Sequence, residues 1–187
     1  MHNTPLYWIL ALVVAQRLAE LALAGANTRR LMARGAREIG RAHYPLFVLL
    51  HASWLIAIVL TTPADAPPNV WLVAAFVGLQ LMRVWVIATL GRYWTTRVIT
   101  LDGAPIMRGG PFRFVRHPNY WVVVGEIAVL PLAFGNWPVA LIWSILNAAL
   151  LSHRIRVEMA ALAAREAAVP ANWAPGPAHR PVGHPAE

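Results

Sequence analysis

Five apolar stretches divide this chain, and their lengths are those of helices in a bilayer or close to it. They run Leu6–Ala24, Pro45–Thr62, Val70–Leu90, Asn119–Phe134 and Trp137–Ser152. A spanning helix needs about 20 apolar residues, with a range near 17–25. The first three stretches meet that length; the last two are shorter and joined only by Gly135-Asn136, which predicts a tight helical hairpin. Pro131, near the end of the fourth, is tolerable where neighbouring groups satisfy the backbone carbonyls it frees. Of 187 residues 58% are hydrophobic and 13% charged. A soluble domain carries about 25% charged residues, so lipid is the expected solvent for this excess of apolar surface.

The charges lie between the apolar stretches. Arg29, Arg30, Arg34, Arg37 and Arg41 follow the first, and Arg92, Arg97, Arg108, Arg113 and Arg116 follow the third. The links at 62–69 and at Gly135-Asn136 carry no Arg, while Arg154, Arg156 and Arg165 follow the fifth. Loops rich in Arg stay in the cytosol. The expected architecture is therefore an all-α integral membrane bundle of about five transmembrane helices, N-terminus out and C-terminus cytosolic, in a bacterial inner membrane. The formal net charge of +8 then reads as membrane orientation, and nucleic acid is not expected as a partner. The absence of cysteine excludes thiolate metal sites and disulfides. Residues 1–169 read as one domain, with a flexible Pro-, Ala- and Gly-rich tail at 170–187. No breaker precedes Pro170, so the fifth helix is expected to run on past Ser152.

This topology gives each intramembrane polar residue a depth. Arg17, Glu20, His51, Gln80, Arg83, Glu126 and Asn147 all fall roughly 6–15 Å from the cytosolic boundary, at about 1.5 Å per residue. Charges at bilayer depth cost about 2.5–3.5 kcal/mol each and face a partner or a cavity. Arg83 and Glu126 have matching depth, which suggests an ion pair. Snorkelling arginines and polar helix–helix contacts are the plainer account of each residue singly. The clustering of all of them on one side points to a polar cavity open to the cytosol.

The densest constellation is Gly110-Pro111-Phe112-Arg113-Phe114-Val115-Arg116-His117-Pro118-Asn119-Tyr120-Trp121. Pro118 suits the first turn of a helix, where its missing N–H costs nothing. The positive end of that helix, beside Arg113, Arg116 and His117, suits a carboxylate or phosphate. An ordinary interfacial helix start, with basic residues at headgroups and an aromatic belt, explains the same residues equally well.

Residues 110–120 resemble the core of the isoprenylcysteine carboxyl methyltransferase family. Members pair an Arg-His-Pro-x-Tyr block with glutamates on the cytosolic extension of the last helix. Arg154-Ile155-Arg156-Val157-Glu158 stands at that place here, and Trp94-Thr95-Thr96-Arg97-Val98-Ile99 is similar to the family's lead-in. The resemblance covers roughly residues 90–167. It implies an S-adenosylmethionine-dependent membrane methyltransferase that O-methylates a lipophilic or lipidated acceptor, an isoprenylcysteine-type carboxylate or a lipidic phenol or pyrone. The acceptor would enter laterally from the surrounding membrane lipids. By position, Arg116, His117, Pro118, Tyr120, Arg154 and Glu158 would hold the cofactor. On chemical grounds Arg97 or Arg116 could hold the acceptor's charge, and a phenol would need deprotonation, for which His51, His117 or Glu126 are candidates; helix packing for His51 and Glu126, and cofactor contact for His117, are the plainer account of each. The family's second glutamate is replaced by Met159, so its part is either absent or supplied elsewhere, Glu126 being a candidate. A membrane reductase using NADPH, related through the Arg-His-Pro block, and a non-catalytic membrane subunit are the alternatives.

Overall fold

The structure, a computed structural model, describes residues 5–101, 103–104 and 107–167; the expected tail at 170–187 lies outside the described residues. Five helices stand where the apolar stretches predict them. They are α1 (Pro5–Met32), α2 (Tyr44–Thr61), α3 (Val70–Leu90), α4 (Pro118–Ala133) and α5 (Trp137–Ala167). Helix α1 continues past the apolar stretch and carries Arg29 and Arg30 in its last turn, where cations complement the helix dipole. Helix α5 runs beyond Ser152 as expected.

Helices α1, α2, α3 and α5 are long and apolar enough to cross a membrane. Helix α4 has 16 residues, about 24 Å at 1.5 Å per residue, against a hydrocarbon core of about 30 Å. Its ends explain the length. Pro118 opens it, and Pro131 near its C-terminus removes a backbone donor. The chain then reverses through Gly135, at φ 73°. Asn136 secures the reversal by donating to the Thr61 and Thr62 hydroxyls at 2.8 and 2.9 Å.

All five helices contribute to one apolar core, which includes Leu6, Leu10, Trp54, Ile58, Phe76, Ile127, Leu130 and Val139. Large apolar side chains also cover the outside, among them Leu12, Leu60, Trp71, Leu81 and Ile145, as a lipid-facing surface requires. Helices α3 and α4 approach closely because Gly125 presents no side chain; a methyl there would sit 2.8 Å from Leu79.

One element departs from an all-α reading. Arg37–Ile39 (β1) and Val98–Thr100 (β2) form an antiparallel two-stranded ribbon, with Glu38 opposite Ile99. Two Arg-rich loops that are 59 residues apart at Glu38 and Arg97 are joined by it. Three residues per strand are too few to leave a periodic signal.

Candidate functional site

The ribbon and the start of α4 close a cavity of about 220 Å³ at one end of the bundle, lined by Leu90, Trp94, Phe112, His117, Tyr120, Arg154 and Glu158 among others. Two features of the lead-in hold its wall. Asn27 donates to the carbonyls of Gly91 and Trp94 at 3.0 and 2.9 Å. Gly110 takes φ 55°, which brings the motif against Thr89 and Trp85.

The resemblance block then assembles with the extension of α5. His117 precedes α4, and its ring stacks on Tyr120, with centroids 5.1 Å apart and planes 16° off parallel. The Tyr120 hydroxyl donates to Glu158, thirty-eight residues later, and accepts from Arg154 Nε at 3.1 Å. Arg154 Nη1 donates to the Thr96 carbonyl at 2.8 Å. His117 Nδ1 stands 3.9 Å from Glu158. Beside Arg154, His43 packs edge-on to His153. Burial, then the charges of Arg154 and His153, push His43 below its ordinary value.

Not every expected residue joins this group. Arg97 borders the cavity, but its Nη1 donates to both carboxylate oxygens of Glu38, at 3.0 and 2.9 Å. Its guanidinium also lies 4.6 Å from the centroid of the Tyr44 ring. It therefore fastens α2 and the ribbon together. Arg116 is exposed and does not line the cavity, because the turn before His117 carries it to the surface. Glu126 does not substitute for a second glutamate beside Glu158. It is 2% exposed, two turns further along α4, and is claimed by other charges. Arg83 Nε donates to it at 3.0 Å, and a second Arg83 nitrogen bonds it as well. Gln80 donates at 2.8 Å and Arg17 reaches it at 2.8 Å.

That pairing is the core of a larger buried network. Arg17 bonds Glu20 at 2.6 Å, Arg83 reaches Glu20 at 3.4 Å, and Gln16 bridges Glu20 and Gln80 at 2.9 and 2.7 Å. The expected Arg83–Glu126 pair is thus present, with two charges of each sign in mutual contact. The charges neutralise one another inside the bundle, and Arg17, Glu20 and Arg83 also line one part of a cavity. Asn147 is buried apart from them, its side-chain oxygen without a partner.

A second cavity, of about 280 Å³, runs from this network to the first. Its walls are mostly apolar: Val14, Leu18 and Leu21 from α1, Phe47, Val48 and Leu55 from α2, and Val123 from α4. Arg17, Glu20, His51 and Arg83 line one part of it. Trp94, Thr95, Asn119, Tyr120 and Arg154 border both cavities. Asn119 was not anticipated as a site residue; its side-chain oxygen is buried without a partner. Its place inside the Arg-His-Pro-x-Tyr block was the one available signal.

Comparison with known proteins gives the chain a family. The isoprenylcysteine carboxyl methyltransferase (ICMT) family pattern matches residues 71–164. An uncharacterized protein, YpbQ, of Bacillus subtilis (strain 168) is 35% identical over 162 residues, covering 84% of this chain and 96% of its own. An uncharacterized protein of Haemophilus influenzae is 26% identical over 159 residues, 81% of this chain and 91% of its own. No solved structure matches. An integral membrane protein by its apolar helices, the chain belongs to the isoprenylcysteine carboxyl methyltransferase family, and that membership points to a methyltransferase.

Proposed function

We propose that this protein is an S-adenosylmethionine-dependent O-methyltransferase of the bacterial cytoplasmic membrane, acting on a lipophilic acceptor. Five spans, with the N-terminus out and the motif end in the cytosol, agree with the Arg distribution. The observation that carries the reading is the shared wall of Asn119, Tyr120 and Arg154 between a polar cavity and an apolar groove. A water-soluble donor and a lipid-soluble acceptor need such a meeting point.

The residues of the polar cavity suit the cofactor. Glu158 would accept from its ammonium or ribose hydroxyls, and the stacked His117 and Tyr120 rings offer π-faces to a cation. Asn119 has a buried polar atom still lacking a partner. Leu90 and Phe112 supply apolar contact for a base. When bound, the cofactor supplies a methyl carbon on a sulfonium. The chain's own task is alignment and exclusion of water. Arg154, anchored by Thr96 and Tyr120, fixes Tyr120 and through it Glu158. Leu18, Leu21 and Val48, all exposed on the outer surface, border the groove and would admit an acceptor sideways from lipid.

Isothermal titration of detergent-purified protein with S-adenosylhomocysteine tests the reading. Micromolar binding is expected, weakened by about tenfold or more in His117→Ala and Glu158→Ala, each of which removes a polar contact. Absence of binding by folded wild type, with binding of NADPH in its place, would replace the methyltransferase with a reductase.

A further inference from the structure

His51 lines the apolar groove with half of its hydrogen-bonding capacity unused. His51 Nδ1 lies 2.8 Å from the Phe47 carbonyl oxygen, one turn earlier on α2. A carbonyl oxygen only accepts, so Nδ1 carries the proton. In the neutral ring Nε2 is then a bare lone pair. The ring lines the groove, and Nε2 has no partner among the described residues.

The charges around it are already engaged. Arg17 and Glu20 face the groove from α1, and Arg83 from α3; Glu126 on α4 holds both arginines from behind. Arg154 on α5, toward the polar cavity, is bonded to Tyr120 and Thr96. An incoming carboxylate would find each guanidinium on these walls already paired, Arg17 Nε being their one buried nitrogen left without a partner among the described residues. A neutral hydroxyl would find an acceptor waiting for its proton.

We propose that His51 is the proton acceptor for a hydroxyl-bearing substrate, a phenol or enol on a lipophilic tail seated in the groove. The inference rests on the methyltransferase reading. In the step, the substrate oxygen bonds to the methyl carbon as the methyl–sulfur bond breaks. The sulfonium becomes a neutral thioether, and the hydroxyl proton passes to His51 Nε2. The imidazolium that forms then returns its proton to water.

The test compares an alkylphenol with its methyl ether, titrated into full-length protein loaded with S-adenosylhomocysteine. Wild type is expected to prefer the phenol by about tenfold, the ether having no proton to donate. His51→Leu should erase that preference and leave S-adenosylhomocysteine affinity unchanged. His51→Gln should retain the preference, because its amide oxygen accepts, but lose about 10²–10⁴-fold in methylation of the alkylphenol. An alkyl nitrophenol, ionised without help, should restore turnover to the Gln variant. An undiminished preference in His51→Leu, or wild-type rates on both phenols in His51→Gln, overturns the proposal. So does wild type that binds S-adenosylhomocysteine yet no phenol, in which case the methyltransferase stands with a carboxylate acceptor. Failure of folded wild type to bind S-adenosylhomocysteine is the separate result that removes the underlying reading.

Discussion

Replacing Glu126 with leucine should be among the costliest single changes in the interior of this protein. The carboxylate is 2% exposed and receives Arg83, Arg17 and Gln80. Without it, two guanidiniums face Glu20 alone, one buried positive charge in excess. Stranding one member of a buried pair costs about 3–5 kcal/mol, and Arg83→Leu should cost a similar amount by leaving a negative excess. The double variant removes one charge of each sign and keeps the Arg17–Glu20 contact at 2.6 Å. Its loss should therefore fall short of the sum of the singles by about 2–3 kcal/mol. Equilibrium unfolding in mixed micelles, as the fraction of denaturing detergent rises, reads all three stabilities. Tryptophan fluorescence is a suitable signal, since Trp54 and Trp94 are buried. A Glu126→Leu variant within about 1 kcal/mol of wild type, or additive single costs, would refute the account of the network as mutually neutralising.

Two further expectations concern the motif end of the bundle. His43 is held below its ordinary value by burial, then by Arg154 and His153, so the unfolded chain binds its proton more readily. Stability should be level above the ordinary value near 6.5 and fall as pH drops below it; unfolding midpoints from pH 8 to pH 5 should show this slope reduced in His43→Phe, and an unchanged slope would refute it. Gly110→Ala should destabilise by about 1–2 kcal/mol and weaken S-adenosylhomocysteine binding, since φ is 55° and the new methyl would meet Thr89 Oγ1 at 2.5 Å. Gly109→Ala, whose methyl meets nothing within 4 Å, is the control, and equal effects of the two would sink the argument.

The five helices were legible because each is specified by its own residues. An unbroken apolar run must bury its backbone polar groups in a helix wherever lipid surrounds it, and Pro, Gly and Asn mark where each run stops. Asn69, the last residue of the 62–69 link, illustrates this: its side chain accepts from the backbone N–H groups of Trp71 and Leu72 at the head of α3. The block at 116–120 and Glu158 were legible in another way, through a spacing that matches a known family. The structure joins them through the Tyr120 hydroxyl.

What failed to show in the sequence was the destination of each charge. Arg97, Arg116 and Glu126 looked equally available as functional groups. Only the folded chain pairs Arg97 with Glu38, leaves Arg116 at the surface and gives Glu126 to Arg83 and Arg17. The β1–β2 ribbon and the groove likewise depend on segments far apart in the chain. Sequence alone determined the five helices and the family, because these follow from local runs and spacings. Tertiary structure decided which polar groups are spent on one another and which remain free, since a charge's partner is set by distance in space, and neighbours in the chain do not reveal it.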